Sequence, residues 1–101
     1  AFMHENYSRQ FSITELAAQY GMDGKRFAEL FQRHMGMAPI RYLTALRIER
    51  SKELLRISDC PVIQVAECAG YINSYYFSRI FKKITGITPT DFRAEAKAGK
   101  V

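Results

Sequence analysis

The chain contains one unit twice. Ile13, Leu16, Ala17 and Gly21 recur as Val62, Val65, Ala66 and Gly70, at an offset of 49 residues throughout. Phe27, Phe31, Gly36, Pro39 and Tyr42 recur as Phe77, Phe81, Gly86, Pro89 and Phe92, at an offset of 50, so one residue is inserted in the second turn. A repeat of this kind is one supersecondary unit, and any fold of the chain must accommodate two copies. Each copy reads as a short helix, a Gly-containing turn and a second helix, the sequence form of a helix-turn-helix. The small Ala17 and Ala66 fit where two helices cross closely, and Gly21 and Gly70 permit the sharp turn.

Local signals place helices around that frame. Ser12-Ile13-Thr14-Glu15 is a capping box, in which Ser12 and Glu15 satisfy each other's orphan amides. The helix it starts has Ile13, Leu16, Ala17 and Tyr20 on one face and stops at Gly21. Asp23 caps a second helix with Phe27, Leu30, Phe31 and His34 at helical spacing, ended by Gly36. Pro39 suits the first turn of a long helix reaching about Ile57. Its apolar set (Leu43, Leu46, Ile48, Leu54, Leu55) is too wide for one stripe and implies contact from two sides. Asp59 and Pro61 open a helix over residues 62–69, stopped at Gly70. Asn73 caps the next, with Phe77, Ile80, Phe81 and Ile84 inside and Gly86 at its end. Thr88 and Pro89 start a last helix through Phe92, and residues 2–9 read as a further short one. The expected architecture is all-α, with about seven helices. A first helix-turn-helix subdomain covers residues 1–37, a linker helix 38–57, a second subdomain 58–96, and a frayed tail 97–101.

Composition narrows the function classes. Hydrophobic residues at 48% and charged residues at 25% exclude intrinsic disorder and collagen-like repetition. No apolar run approaches the roughly 18 residues of a membrane span. Six glycines and three prolines give little material for the frequent turns of an all-β fold. Fifteen Lys and Arg against ten Asp and Glu leave a net charge of +5, which favours polyanionic partners, nucleic acid ahead of an anionic membrane surface. Cys60 and Cys68 lie too close together for a useful disulfide framework and show no metal spacing. Nothing at the start resembles a secretion signal, so a reducing cytoplasm is the expected compartment. Opening on Ala1 rather than Met reads as a piece of a longer chain. No Ser-His-Asp set, paired catalytic carboxylates or phosphate-cradling loop is visible, so neither enzyme activity nor a cofactor is expected.

The two second helices carry the chemistry. With Phe27 defining the inward direction, 100° per residue puts Lys25, Glu29 and Gln32 outward, flanked by Ala28 and Arg33. From Phe77 the same projection puts Tyr75, Arg79 and Lys82 outward, flanked by Ser78 and Lys83. These types suit base edges and phosphates: Arg for guanine, Gln for adenine, Lys for phosphate. Residues 71–86 hold Arg79, Lys82 and Lys83 with no acid. The linker holds Arg41, Arg47, Arg50, Lys52 and Arg56 against Glu49 and Glu53, so positive charge is concentrated. A connector of about 18 residues is roughly 27 Å long at 1.5 Å per residue. Helix-turn-helix units on one face of B-DNA sit about 34 Å apart. Allowing for helix width, a rigid connector of that length suits two readers in successive major grooves.

The run Ala66-x3-Gly70-Tyr71-x5-Phe77-Ser78-Arg79-x-Phe81-Lys82-Lys83-x-x-Gly86-Ile87-Thr88-Pro89-x-x-Phe92-Arg93 resembles the signature of the AraC/XylS family of bacterial transcription regulators. The resemblance extends from about Met3 to Ala94 and includes Arg47-Ile48 and Leu54-Leu55 of the linker. It implies a seven-helix domain that binds double-stranded DNA through two helix-turn-helix units. Members usually carry it at the C-terminus, behind a variable domain that senses a small-molecule effector or mediates dimerisation, and RNA polymerase is an implied partner. By position, the first recognition helix would be residues 24–35, with Lys25, Ala28 and Glu29 at base-contacting places. The second would be 74–85, with Ser74, Tyr75, Ser78 and Arg79 there. Tyr75 and Tyr76 put bulky rings where small or amide side chains are common, which shifts readout by this unit towards packing. Ala28 offers only a methyl contact, to thymine.

Each residue has a plainer use as well. Arg79 is the strongest base reader, its alternative being a phosphate contact. Glu29 suits cytosine N4, yet it lies four residues from both Lys25 and Arg33, a spacing that favours an intrahelical salt bridge. Arg26, Arg33, Lys82 and Lys83 suit phosphates, and Gln32 suits either a base or a phosphate. Tyr75 divides between DNA contact and lying over the domain surface, and Tyr76 is structural. Phe27, Phe31, Phe77 and Phe81 share inward faces and belong to the core, and His34 is a packed or half-exposed histidine. The competing reading of the whole is a helical protein-interaction module, an adaptor without direct DNA readout. It does not predict basic residues gathered on the outward faces of both second helices.

Overall fold

Among residues 2–99, the span described by the computed structural model, every regular element is a helix. In order they are α1 (Phe2–Asn6), α2 (Ile13–Ala18), α3 (Gly24–Met35), α4 (Pro39–Ile57), α5 (Val62–Cys68), α6 (Ser74–Thr85) and α7 (Pro89–Lys97). The all-α architecture and its seven helices are as the sequence predicts. The chain divides into two units between Leu46 and Arg47, inside α4. Of the linker expected over 38–57, the residues up to Leu46 group with the first unit and the remainder with the second.

Capping residues start α3 and α6 where the sequence indicates. The Asp23 carboxylate accepts from the Arg26 amide at 2.8 Å, and Asn73 Oδ1 accepts from the Tyr76 amide at 3.1 Å. Both satisfy an orphan donor of a first turn. At α2 the Ser12 hydroxyl accepts from the Glu15 amide at 3.1 Å, but Glu15 makes no return bond, so half of the capping box forms. At α5 the cap is Pro61, without a side-chain bond. Ser58 closes the preceding helix instead, donating to Leu54 O at 2.7 Å. The turns are tight at Gly21 and Gly70, whose φ of 68° and 100° lie where a Cβ is strained.

Each unit has its own core. In the first, Met3, Leu16, Ala17, Phe27 and Leu43 are buried, with Phe31, Tyr42 and Leu46 packed against them. In the second, the buried set is Ile48, Leu55, Val65, Ala66, Ala69, Tyr71, Phe77, Phe81 and Phe92. The repeat is visible in the rings. Phe27–Phe31 and Phe31–Tyr42 lie 5.7 and 5.4 Å apart, the second pair edge-on at 75°. Phe77–Phe81 and Phe81–Phe92 lie 5.7 and 5.5 Å apart, the second pair edge-on at 77°. Three aromatic positions thus keep the same ring spacings in both copies to within about 0.1 Å, the second pair in each making the edge-to-face contact that ring quadrupoles favour.

The copies are not equally filled. Phe77 and Phe81 are fully buried, whereas Phe31 is half-buried. The first unit has an apolar indentation of about 310 Å³ lined by Met3, Leu16, Phe27, Leu30, Phe31 and Met35, among others.

Several expectations need correction. Tyr20, expected on the inward face of α2, is 53% exposed, though its ring stacks on Phe27 at 5.7 Å. Ile84, expected inside, is 49% exposed, and His34 at the equivalent place is exposed too. The reason is length: α3 and α6 have 12 residues each while α2 and α5 have 6 and 7, so the last turn of each longer helix overhangs its partner. α1 ends at Asn6 rather than residue 9, and α7 runs past Phe92 to Lys97. The Lys97 ammonium, placed in the expected frayed tail, donates to Arg56 O at 3.2 Å and pairs with Asp59 at 3.3 Å. Residues 100–101 of that tail lie outside the described residues.

Candidate nucleic-acid interface

Burial of Phe27 and Phe77 fixes which sides of α3 and α6 face outward. On α3, Lys25, Arg26, Glu29, Gln32 and Arg33 are exposed and Ala28 is half-buried. On α6, Tyr75, Arg79, Lys82 and Lys83 are exposed, while Ser74 and Ser78 are half-buried. Ala28 and Ser78 are equivalent positions and share the same partial cover. Each helix therefore presents its whole candidate set on one accessible side, within its own unit.

The electrostatics of these faces differ from those of α4. There Arg50 pairs with Glu53 and Lys52 with Glu49, both at 2.9 Å. Arg47 lies over the Tyr71 ring at 5.5 Å and Arg56 over the Phe92 ring at 5.3 Å. Burial lowers the Arg47 pKa from its ordinary value, with Tyr71 opposing the shift. Four of the five linker cations thus have an acidic or aromatic partner within the chain. On α3 and α6 the opposite holds. Among the described residues none of Lys25, Arg26, Arg33, Arg79, Lys82 or Lys83 pairs with an acid. Glu29 forms no ion pair either, so the salt bridge its spacing favours with Lys25 or Arg33 is not made. Unpaired cations cluster on the two faces that the repeat singles out.

Two features of α6 were not visible in the sequence. The Arg79 guanidinium lies over the Tyr75 ring, 5.9 Å from its centroid, one helical turn on. This gives Tyr75 a contact within the site rather than on the rest of the domain. Tyr76, expected to be structural, is more than half exposed with its ring 6.1 Å from that of Tyr71. The inserted residue can also be named. The Met22 amide donates to Ala17 O at 3.1 Å, and the Tyr71 amide donates to Ala66 O at 2.9 Å, so Met22 and Tyr71 are equivalent. Asp23 and Asn73 are the equivalent caps. The residue between Tyr71 and Asn73 is the extra one: Ile72, 83% exposed.

A family profile described as a helix-turn-helix domain matches residues 16–95. The chain is 33% identical over 100 residues to the MmsAB operon regulatory protein of Pseudomonas aeruginosa, covering 99% of this chain and 33% of that protein. It thus spans about a third of the length of the curated relatives it matches. Among solved structures, the DNA-binding domain of the transcriptional factor AdpA, determined in complex with a target DNA, superposes with a TM-score of 0.94 at 28% identity. That match covers 98% of this chain and 89% of that one. A transcriptional regulator from Chromobacterium violaceum, of the AraC-type DNA-binding proteins, gives 0.85 at 25% identity over 94% of this chain and 85% of its own. Repeated ring geometry, paired reading helices and these likenesses agree, and the chain belongs to the AraC/XylS family of transcription regulators, whose helix-turn-helix DNA-binding domain it forms.

Proposed function

We propose that this domain binds a specific double-stranded DNA sequence by placing α3 and α6 in successive major grooves. The observation that carries this reading is the exposed cations on the outward faces of both helices that pair with no acid among the described residues, against Arg50 and Lys52 of α4, which pair with Glu53 and Glu49. In this reading Lys25, Ala28, Glu29, Gln32, Ser74, Tyr75, Ser78 and Arg79 face bases. Arg26, Arg33, Lys82 and Lys83 hold phosphates and set register, since charge on the backbone positions while base edges specify. The whole protein is then a bacterial regulator of transcription acting in the cytoplasm without catalysis of its own. It has RNA polymerase as a partner and takes its small-molecule signal through a separate domain.

Selection of bound oligonucleotides from a random duplex pool tests this directly. The expected result is two short motifs about one helical turn apart. A salt titration on the recovered duplex should give a log–log slope of about −0.9 per phosphate contact. Recovery of no enriched sequence, or salt-independent binding, overturns the reading.

A further inference from the structure

The two readers differ in chemistry at their leading ends. The first turn of α3 is Gly24-Lys25-Arg26, cationic, and that of α6 is Ser74-Tyr75-Tyr76, aromatic. Ile72, the residue by which the second turn exceeds the first, stands directly before the cap Asn73 and is 83% exposed. Tyr75 follows three residues later, 71% exposed. A single isoleucine on a surface needs no explanation. This one stands three residues before an exposed ring, at the start of a helix of the kind whose N-terminal residues meet base edges in helix-turn-helix units. Residues 71–78 contain neither a cation nor an acid. The polar groups of that stretch are neutral, so it offers a phosphate or a base edge no charge-assisted contact. The apolar feature that B-DNA offers in its major groove is the C5-methyl of thymine.

We infer that Ile72 and Tyr75 form an apolar edge that reads the C5-methyl of thymine in the half-site facing α6. The inference rests on the DNA reading above and adds to it the base class that the second unit selects. The Tyr75 ring also carries the Arg79 guanidinium, so the thymine and the base read by Arg79 are close neighbours in the site. Unit 1 has no counterpart, because its turn lacks the extra residue and its first turn is charged.

Deoxyuridine deletes the methyl and leaves Watson–Crick pairing intact. In the test, each thymine of the tightest duplex from the pool is replaced by deoxyuridine in turn, and Kd is measured. One buried methyl corresponds to about a fourfold change in Kd. The unaltered domain should therefore bind about fourfold more weakly at one or two such replacements. Ile72→Ser should reduce that ratio towards one while still binding the duplex, and Tyr75→Ala should reduce it too while also weakening binding overall, because its ring lies under Arg79. Thermal melting should be unchanged in both, since both side chains are exposed. If no replacement weakens binding, or if the loss persists in both variants, the methyl reading falls and the DNA reading stands. A domain that binds no duplex from the pool overturns both.

Discussion

Arg79 and Lys83 sit on the same accessible side of α6, and the proposed reading gives them different roles. Arg79 lies over the Tyr75 ring, and in the proposed reading its flat guanidinium makes a bidentate contact to a base. Arg79→Ala should cost about 1–3 kcal/mol and relax preference at one base pair, read by competition among single-base variants of the selected duplex. Equal loss on every duplex would make Arg79 a phosphate contact. Lys83, near the end of α6, has no ring or acid to aim it. Lys83→Ala should weaken all duplexes alike and reduce the salt slope by about 0.9. A base-selective effect would contradict that assignment. Which residues face outward was legible from sequence, because 100° per residue from Phe27 and Phe77 suffices to find them. How their charges are spent was not. Spacing put Glu29 beside two cations it does not pair with, and gave no sign that Arg47 and Arg56 would lie over Tyr71 and Phe92. Contacts of that kind depend on rotamers and on rings brought in from other helices.

Helix starts were the best-read elements, because Asp23, Asn73 and Thr88 act locally on amides three residues away. Ends set by distant partners were read less well: α7 outruns its expected limit where Lys97 reaches Arg56 O and Asp59. Turns depend on backbone alone. At Gly21 a built Cβ would meet nothing within 4 Å, so the cost of a side chain there is its φ of 68° and not crowding. Gly21→Ala should destabilise the domain by about 1–2 kcal/mol, and Gly21→Asn by less, since Asn tolerates the left-handed region. Denaturant titration of the two variants measures both. Equal losses would mean that something besides backbone conformation acts at this turn.

Across the molecule the repeat conserves ring geometry while filling differs. Phe81 is fully enclosed, and Phe31, its equivalent, borders the indentation of the first unit. Phe81→Ala should cost about 3–5 kcal/mol, as expected for an enclosed ring. Phe31→Ala should cost clearly less, with calorimetry or chemical denaturation as the measure. Matching costs would show that the first unit is as tightly filled as the second. The division of the chain inside α4 has a further consequence. Leu43 belongs to one core and Ile48 and Leu55 to the other, so neither end of that helix is a clean boundary. Anyone exchanging one reader for a cousin's, whether a protein engineer or recombination between paralogous genes, keeps both hydrophobic interiors whole only by placing the crossover mid-helix, at the Leu46–Arg47 peptide bond.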